Sequence, residues 1–252
     1  MMLAAREEGG PIMAFGVILA LISVAVLAGA AIQGSFGFGY ALVLVPTLAL
    51  LYPKAIPITP LLLLLLMTLY MTIREWGSID VKAFLLNTSG RIVGAVAGAV
   101  ILQLIPAESL SSLLGVLIVV AALLSFFNPS LEPSKKTQVA GCIASGIMGT
   151  TVAIGGPPLA LVYQDRPGPQ LRSTLAISFG VGAIASLVAL TVAGRVEGWH
   201  FLLALKLLPA LLAGLWASRW AIKFLDERWL RPAILVFAAL AGVVVIIVGP
   251  LG

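Results

Sequence analysis

Charge is what this chain has least of. Asp, Glu, Lys and Arg make up only 10% of its 252 residues, where a soluble globular domain carries about 25%. Hydrophobic residues account for 61% and the mean hydropathy is +1.14, so the chain reads as an integral membrane protein. Cysteine and histidine are each present once, as Cys142 and His200. A single thiol excludes an internal disulfide and a cysteine metal cluster, and one histidine without paired acids leaves a catalytic metal no ligand set. Carboxylates are also missing from mid-span: Glu75, Asp80, Glu108, Asp165, Glu197, Asp226 and Glu227 fall at span ends or in loops. Proton relays and cation sites inside membranes usually show an acid there, so an anion is the favoured cargo. Basic residues exceed acidic ones, 15 to 10, but no basic run with interleaved aromatics exists. The excess is therefore a topology signal, and no nucleic-acid partner is expected.

What is present is a series of apolar runs matching about 20 residues per membrane span. They predict an all-α integral membrane protein of about eight transmembrane helices. Spans are expected near residues 12–32, 58–73, 84–105 and 110–127, then near 173–193, 201–218 and 230–248. The polar, proline-rich stretch 129–137 separates two four-helix repeats, 1–128 and 138–252. The charged lead at Arg6, Glu7 and Glu8 and the length of the first run read as a retained span rather than a cleaved signal. Trp76, Trp199, Trp216, Trp220 and Trp229 all fall near expected span ends, as an aromatic belt would place them. The basic stretch 219–231 leans that side towards the cytoplasm. Gly90, Gly94 and Gly98 form a small-residue face suited to close helix packing, either inside one chain or in a homodimer.

The first helix of each repeat is expected to be broken by a glycine-rich segment. Residues 150–161 read TTVAIGGPPLAL and residues 35–44 read SFGFGYALVL. Gly155 and Gly156 disfavour helix by about 1 kcal/mol each against alanine. Pro157 and Pro158 cannot continue a helix from upstream, yet proline suits the first turn of a new one. A break at membrane depth is tolerated only where protein buries it or a cavity accepts it. Matched breaks in two halves are a pointer to a transporter's binding site; a surface loop or packing kink is the structural alternative.

These residues carry a resemblance. GIMGTTVAIGGPPL at residues 146–159 resembles the second-half signature of the TauE/SafE sulfite-exporter family. Leu171, Arg172, Ser173 and Thr174 are similar to that family's basic opening of the next span, and Gln33 to Gly39 with Pro46 resembles its first-half signature. Tyr40 and Ala41 depart from it, standing where many members have small residues. The resemblance implies a multi-pass protein of the bacterial inner membrane that exports sulfite, sulfoacetate or other organosulfonates without a cofactor; it leaves open import and a permease for another small organic anion.

A compact oxyanion suits free N–H groups at half-helix starts, which singles out Gly37, Phe38, Gly39, Gly155 and Gly156, with Pro157 beside them opening the new helix. Gln33, Ser35, Tyr40, Thr150 and Thr151 add amide or hydroxyl donors, unless they bond their own backbone. Arg91 and Arg172 hold corresponding places near the starts of two spans. Each can fork onto anion oxygens or snorkel to the interface. An anion channel shares these features with a carrier; a membrane enzyme would need a nucleophile with a base.

Overall fold

A computed structural model describes residues 4–127, 135–163, 168–224 and 227–248. Among the described residues there are ten α-helices: α1 (Ala4–Phe36), α2 (Tyr40–Leu51), α3 (Ile58–Arg74), α4 (Val81–Leu104), α5 (Ala107–Phe127), α6 (Lys135–Val152), α7 (Gly156–Tyr163), α8 (Gly168–Val192), α9 (Gly198–Phe224) and α10 (Glu227–Val248). Five are long and apolar enough to cross a membrane: Phe15–Phe36, Val81–Leu104, Ser109–Phe127, Pro169–Val192 and Gly198–Trp220. The shorter Tyr40–Leu51, Ile58–Arg74 and Pro232–Val248 are also apolar. Most of the expected polar linker, the loop near Asp165 and the side chain of Trp229 lie outside the described residues.

Each glycine-rich break reverses the chain into a helical hairpin, the alternative that the sequence left open beside a helix interrupted in mid-course. α2 folds back along α1, with Tyr40 packed on Gly29 and Tyr52 beside the Phe15 ring at 6.4 Å. Gly37 (φ 91°) and Gly39 (φ 117°) make that turn in backbone that L side chains rarely adopt. α7 likewise folds back along α6, with Val162 and the Pro158 carbonyl against Gly141. There the left-handed residue is Ala153 (φ 60°), at a cost of about 1–2 kcal/mol. Glycine patterning signals the stop of a helix; which way the next one runs depends on this backbone hand.

Helix directions follow from residue pairs. α9 runs with α1, placing Gly214 against Leu27 and Ala30 and Gly34 against Ser218. α3 ends beside the end of α1, where Arg74 Nη2 donates to the Gly34 carbonyl at 2.8 Å. From that end α4 runs the opposite way, started by Asp80, whose carboxylate accepts from Ala83 N at 3.0 Å. Such an N-cap satisfies one of the orphan donors of the first turn. α6 runs with α4: Gly90, Gly94 and Gly98 face Cys142, Gly146 and Thr150. The small-residue face therefore packs within the chain, so closely that a Cβ on Gly94 would lie 2.8 Å from Gly146 Cα. α8 also runs with α4, and α5 and α10 are antiparallel through Gly115 and Gly242. The α1–α2 and α6–α7 hairpins thus enter from opposite ends of the bundle.

Candidate functional site

The two hairpin tips meet. A Cβ on Gly156, the first residue of α7, would sit 3.6 Å from Phe38 Cβ in the first turn. Between them lies a cavity of about 20 Å³, room for a water-scale occupant. That is too small for a sulfur oxyanion. Gln33, Phe38 and Gly39 line it from the first hairpin, and Gly155, Gly156 and Pro157 from the second. Leu61 and Leu64 of α3, Arg91 of α4 and Phe179 of α8 close the sides.

Arg91 is the charge in this site. Sequence reasoning placed it near a span start; it lies midway along α4 and is 1% exposed, too deep to snorkel. Its Nη1 donates to Ser145 Oγ of α6, and that hydroxyl donates onward to the Gly155 carbonyl at 2.5 Å. The guanidinium carbon stands 5.0 Å from the Phe179 ring centroid, within cation–π range. Gly182 of α8 leaves the room the guanidinium occupies, since a Cβ there would collide with its Nε, Nη2 and Cζ. Among the described residues no carboxylate reaches Arg91 within ion-pair distance, and its buried Nε has no hydrogen-bond partner.

Gln33 is prepared in the same way. Its Oε1 accepts from Tyr40 N at 3.2 Å, satisfying the first donor of α2. Its buried Nε2 is left without a partner. Two orphaned donors thus line one cavity, and a buried orphan donor costs about 1–3 kcal/mol. The half-helix starts themselves offer less than the sequence suggests. Pro157 and Pro158 supply no N–H, and Leu42 N is spent on the Gly39 carbonyl at 3.1 Å.

Several predicted site residues stand away from the cavity. Ser35 Oγ donates to Ala31 O at 2.8 Å and to Ser218 O, holding α1 to α9. Thr151 donates to Ile147 O at 2.8 Å, and Thr150 pairs with Ser186 Oγ at 2.7 Å. Tyr40 is 1% exposed and packs on Gly29. Gly37 carries Arg172 above it, and Arg172 Nε is paired with Glu75 Oε1 at 3.0 Å. Arg74 joins the same carboxylate at 3.0 Å, so these two cations are bound at one end of the bundle.

Sequence reasoning missed Asn87, Ser145, Phe179 and Gly182. Asn87 is fully buried one helical turn before Arg91. Its Oδ1 accepts from Tyr163 Oη at 2.6 Å and Cys142 Sγ at 3.3 Å, and its Nδ2 donates to Ser178 Oγ at 3.2 Å. It ties α4 to α6, α7 and α8. A polar residue four before Arg91 on the glycine face was the available signal; for Phe179 and Gly182 there was none.

These features define a multi-pass helical membrane protein whose two opposed hairpins enclose a small, positively charged cavity. The chain belongs to the TauE/SafE family: the family described as sulfite exporter TauE/SafE matches residues 21–245, nearly its full length. That is a family of membrane transporters. No curated protein and no solved structure matches the chain.

Proposed function

We propose that the chain is a secondary transporter exporting small sulfur-containing anions, such as sulfite, sulfoacetate and other organosulfonates, across the bacterial inner membrane. The observation that carries this reading is a buried guanidinium with no counter-ion among the described residues, Arg91, at the meeting point of two hairpins from opposite ends. Helices α1–α5 and α6–α10 are read as inverted repeats. In support, the pairing of α1 with α9 is answered by α6 with α4, while α3 pairs with α8 and α5 with α10. Inverted repeats with binding at their interface suit alternating access. The anion rests near the midplane against Arg91 and Gln33, between Phe38, Gly39, Gly155, Gly156 and Pro157. Ser35, Gly37, Tyr40, Thr150, Thr151 and Arg172 hold the tips from behind. No covalent step takes place.

Proteoliposomes loaded with sulfite provide the test. Wild-type protein gives saturable efflux, and Arg91→Gln abolishes it while the purified variant elutes as the wild type does. Unsaturable current would make the protein a channel; undiminished efflux from Arg91→Gln would remove the site.

A further inference from the structure

We infer that this cavity is matched to a single negative charge, so monoanions bind ahead of dianions. The inference rests on the transporter reading of the same cavity and narrows its substrate class. Arg91 supplies the only full charge among the described residues that line it. The other donor there, Gln33 Nε2, is neutral. Other cations stand outside that lining: Arg74 and Arg172 converge on the single carboxylate of Glu75, Arg195 donates to the Leu102 carbonyl, and Lys206 sits over the Phe15 ring.

Beyond the Ser145 hydroxyl and the Phe179 ring face, the described surroundings of the guanidinium are apolar. Phe179 lies against it, Gly182 backs it, and Leu61 and Leu64 share the cavity wall. A charge buried in such a medium is costly unless it is paired. One negative charge neutralises the site, whereas a second would itself stand unpaired and desolvated. The orphaned Nε and Gln33 Nε2 offer N–H groups to the oxygens of one compact head. The rule ranks the bisulfite form of sulfite and simple sulfonates ahead of sulfoacetate, whose carboxylate adds a second charge.

Titratable groups near Arg91 are few. α6 presents the Cys142 thiol and α7 the Tyr163 phenol, both bonded to Asn87 Oδ1. α8 presents Ser178, Phe179 and Gly182, which do not titrate. A probe whose own charge is constant with pH therefore controls for changes in the protein.

The experiment is calorimetric titration of the full chain in detergent at about pH 6 and about pH 8, with sulfite, methanesulfonate, sulfate and nitrate. Sulfite gives up its second proton between these values, so its affinity is expected to be about tenfold weaker at the higher pH. Methanesulfonate, a monoanion throughout, changes by less than about twofold and binds at least about tenfold more tightly than sulfate. Sulfite that holds or gains affinity as pH rises, or sulfate that binds as tightly as methanesulfonate, overturns the charge rule while leaving a sulfur-anion transporter in place. Nitrate binding without any sulfur anion overturns the sulfur reading and keeps the charge rule. If none of the four binds, both fall. Arg91→Lys, which keeps the charge but not the fork, is expected to bind more weakly with the same preference for monoanions. Sulfate bound by that variant as tightly as methanesulfonate also counts against the rule.

Discussion

Gly182 of α8 lies directly against the guanidinium of Arg91: the position a Cβ would take is already occupied by Nε, Nη2 and Cζ. The charge keeps its place in the cavity because the facing helix has no side chain there. Gly182→Ala is expected to push Arg91 off the cavity and weaken anion binding by about tenfold or more, with stability falling by about 1–3 kcal/mol from overpacking. Calorimetry and a melting curve on the same preparation check both parts. Wild-type affinity would show that Arg91 finds an equivalent pose.

The two glycines of the GGPP turn are expected to differ. A Cβ on Gly155 would meet the Ser145 carbonyl at 2.7 Å and Arg91 Nη1 at 2.8 Å, whereas one on Gly156 meets only Phe38 at 3.6 Å. Gly155→Ala should therefore impair efflux strongly and Gly156→Ala mildly. Equal effects would point to backbone flexibility rather than space as the requirement.

Asn87→Ala removes the shared partner of Tyr163, Cys142 and Ser178. Losing buried hydrogen bonds of this kind costs about 1–3 kcal/mol, although Ser178 keeps its bond to the Thr174 carbonyl at 2.6 Å. The expected result is a lower melting temperature with anion affinity changed less than by Gly182→Ala. An unaltered melting temperature would mean that those groups find new partners.

Arg172→Gln tests the other cation that the sequence nominates. Its partner is Glu75 and it does not line the cavity. The substitution should leave anion affinity near wild type and cost less than about 1 kcal/mol, as expected of a partly exposed pair. A tenfold loss of affinity would bring Arg172 back to the site.

How much of this was legible in the chain depends on the range of the interaction involved. Helicity and membrane character follow from local composition, and the stops at Gly37–Gly39 and Gly155–Pro158 follow from residues that cannot propagate a helix. The reversal at each stop depends on left-handed backbone at Gly39 and Ala153, and Ala153 gives no such signal. Arg91 was legible as a charge in an apolar run, but its depth depended on α4 starting at Asp80 rather than a few residues later. Arg172 has an equivalent pattern and a different fate, because Glu75 lies 97 positions away in sequence and within 3.0 Å in space. Phe179 and Gly182 matter through what faces them on another helix. No pattern in the sequence reports that.

The glycine seam between α4 and α6 has a consequence for motion. With Gly94 against Gly146 at backbone distance, those helices have no side-chain layer in which to slide. In the proposed alternating access Arg91 therefore travels with the second hairpin, while Gln33 belongs to the first. In the proposed cycle an anion held by both residues is a rivet across the joint that must open. Its grip has to be loose enough for the joint to part, so a compound that fastened both sides too firmly would jam the carrier rather than ride through it.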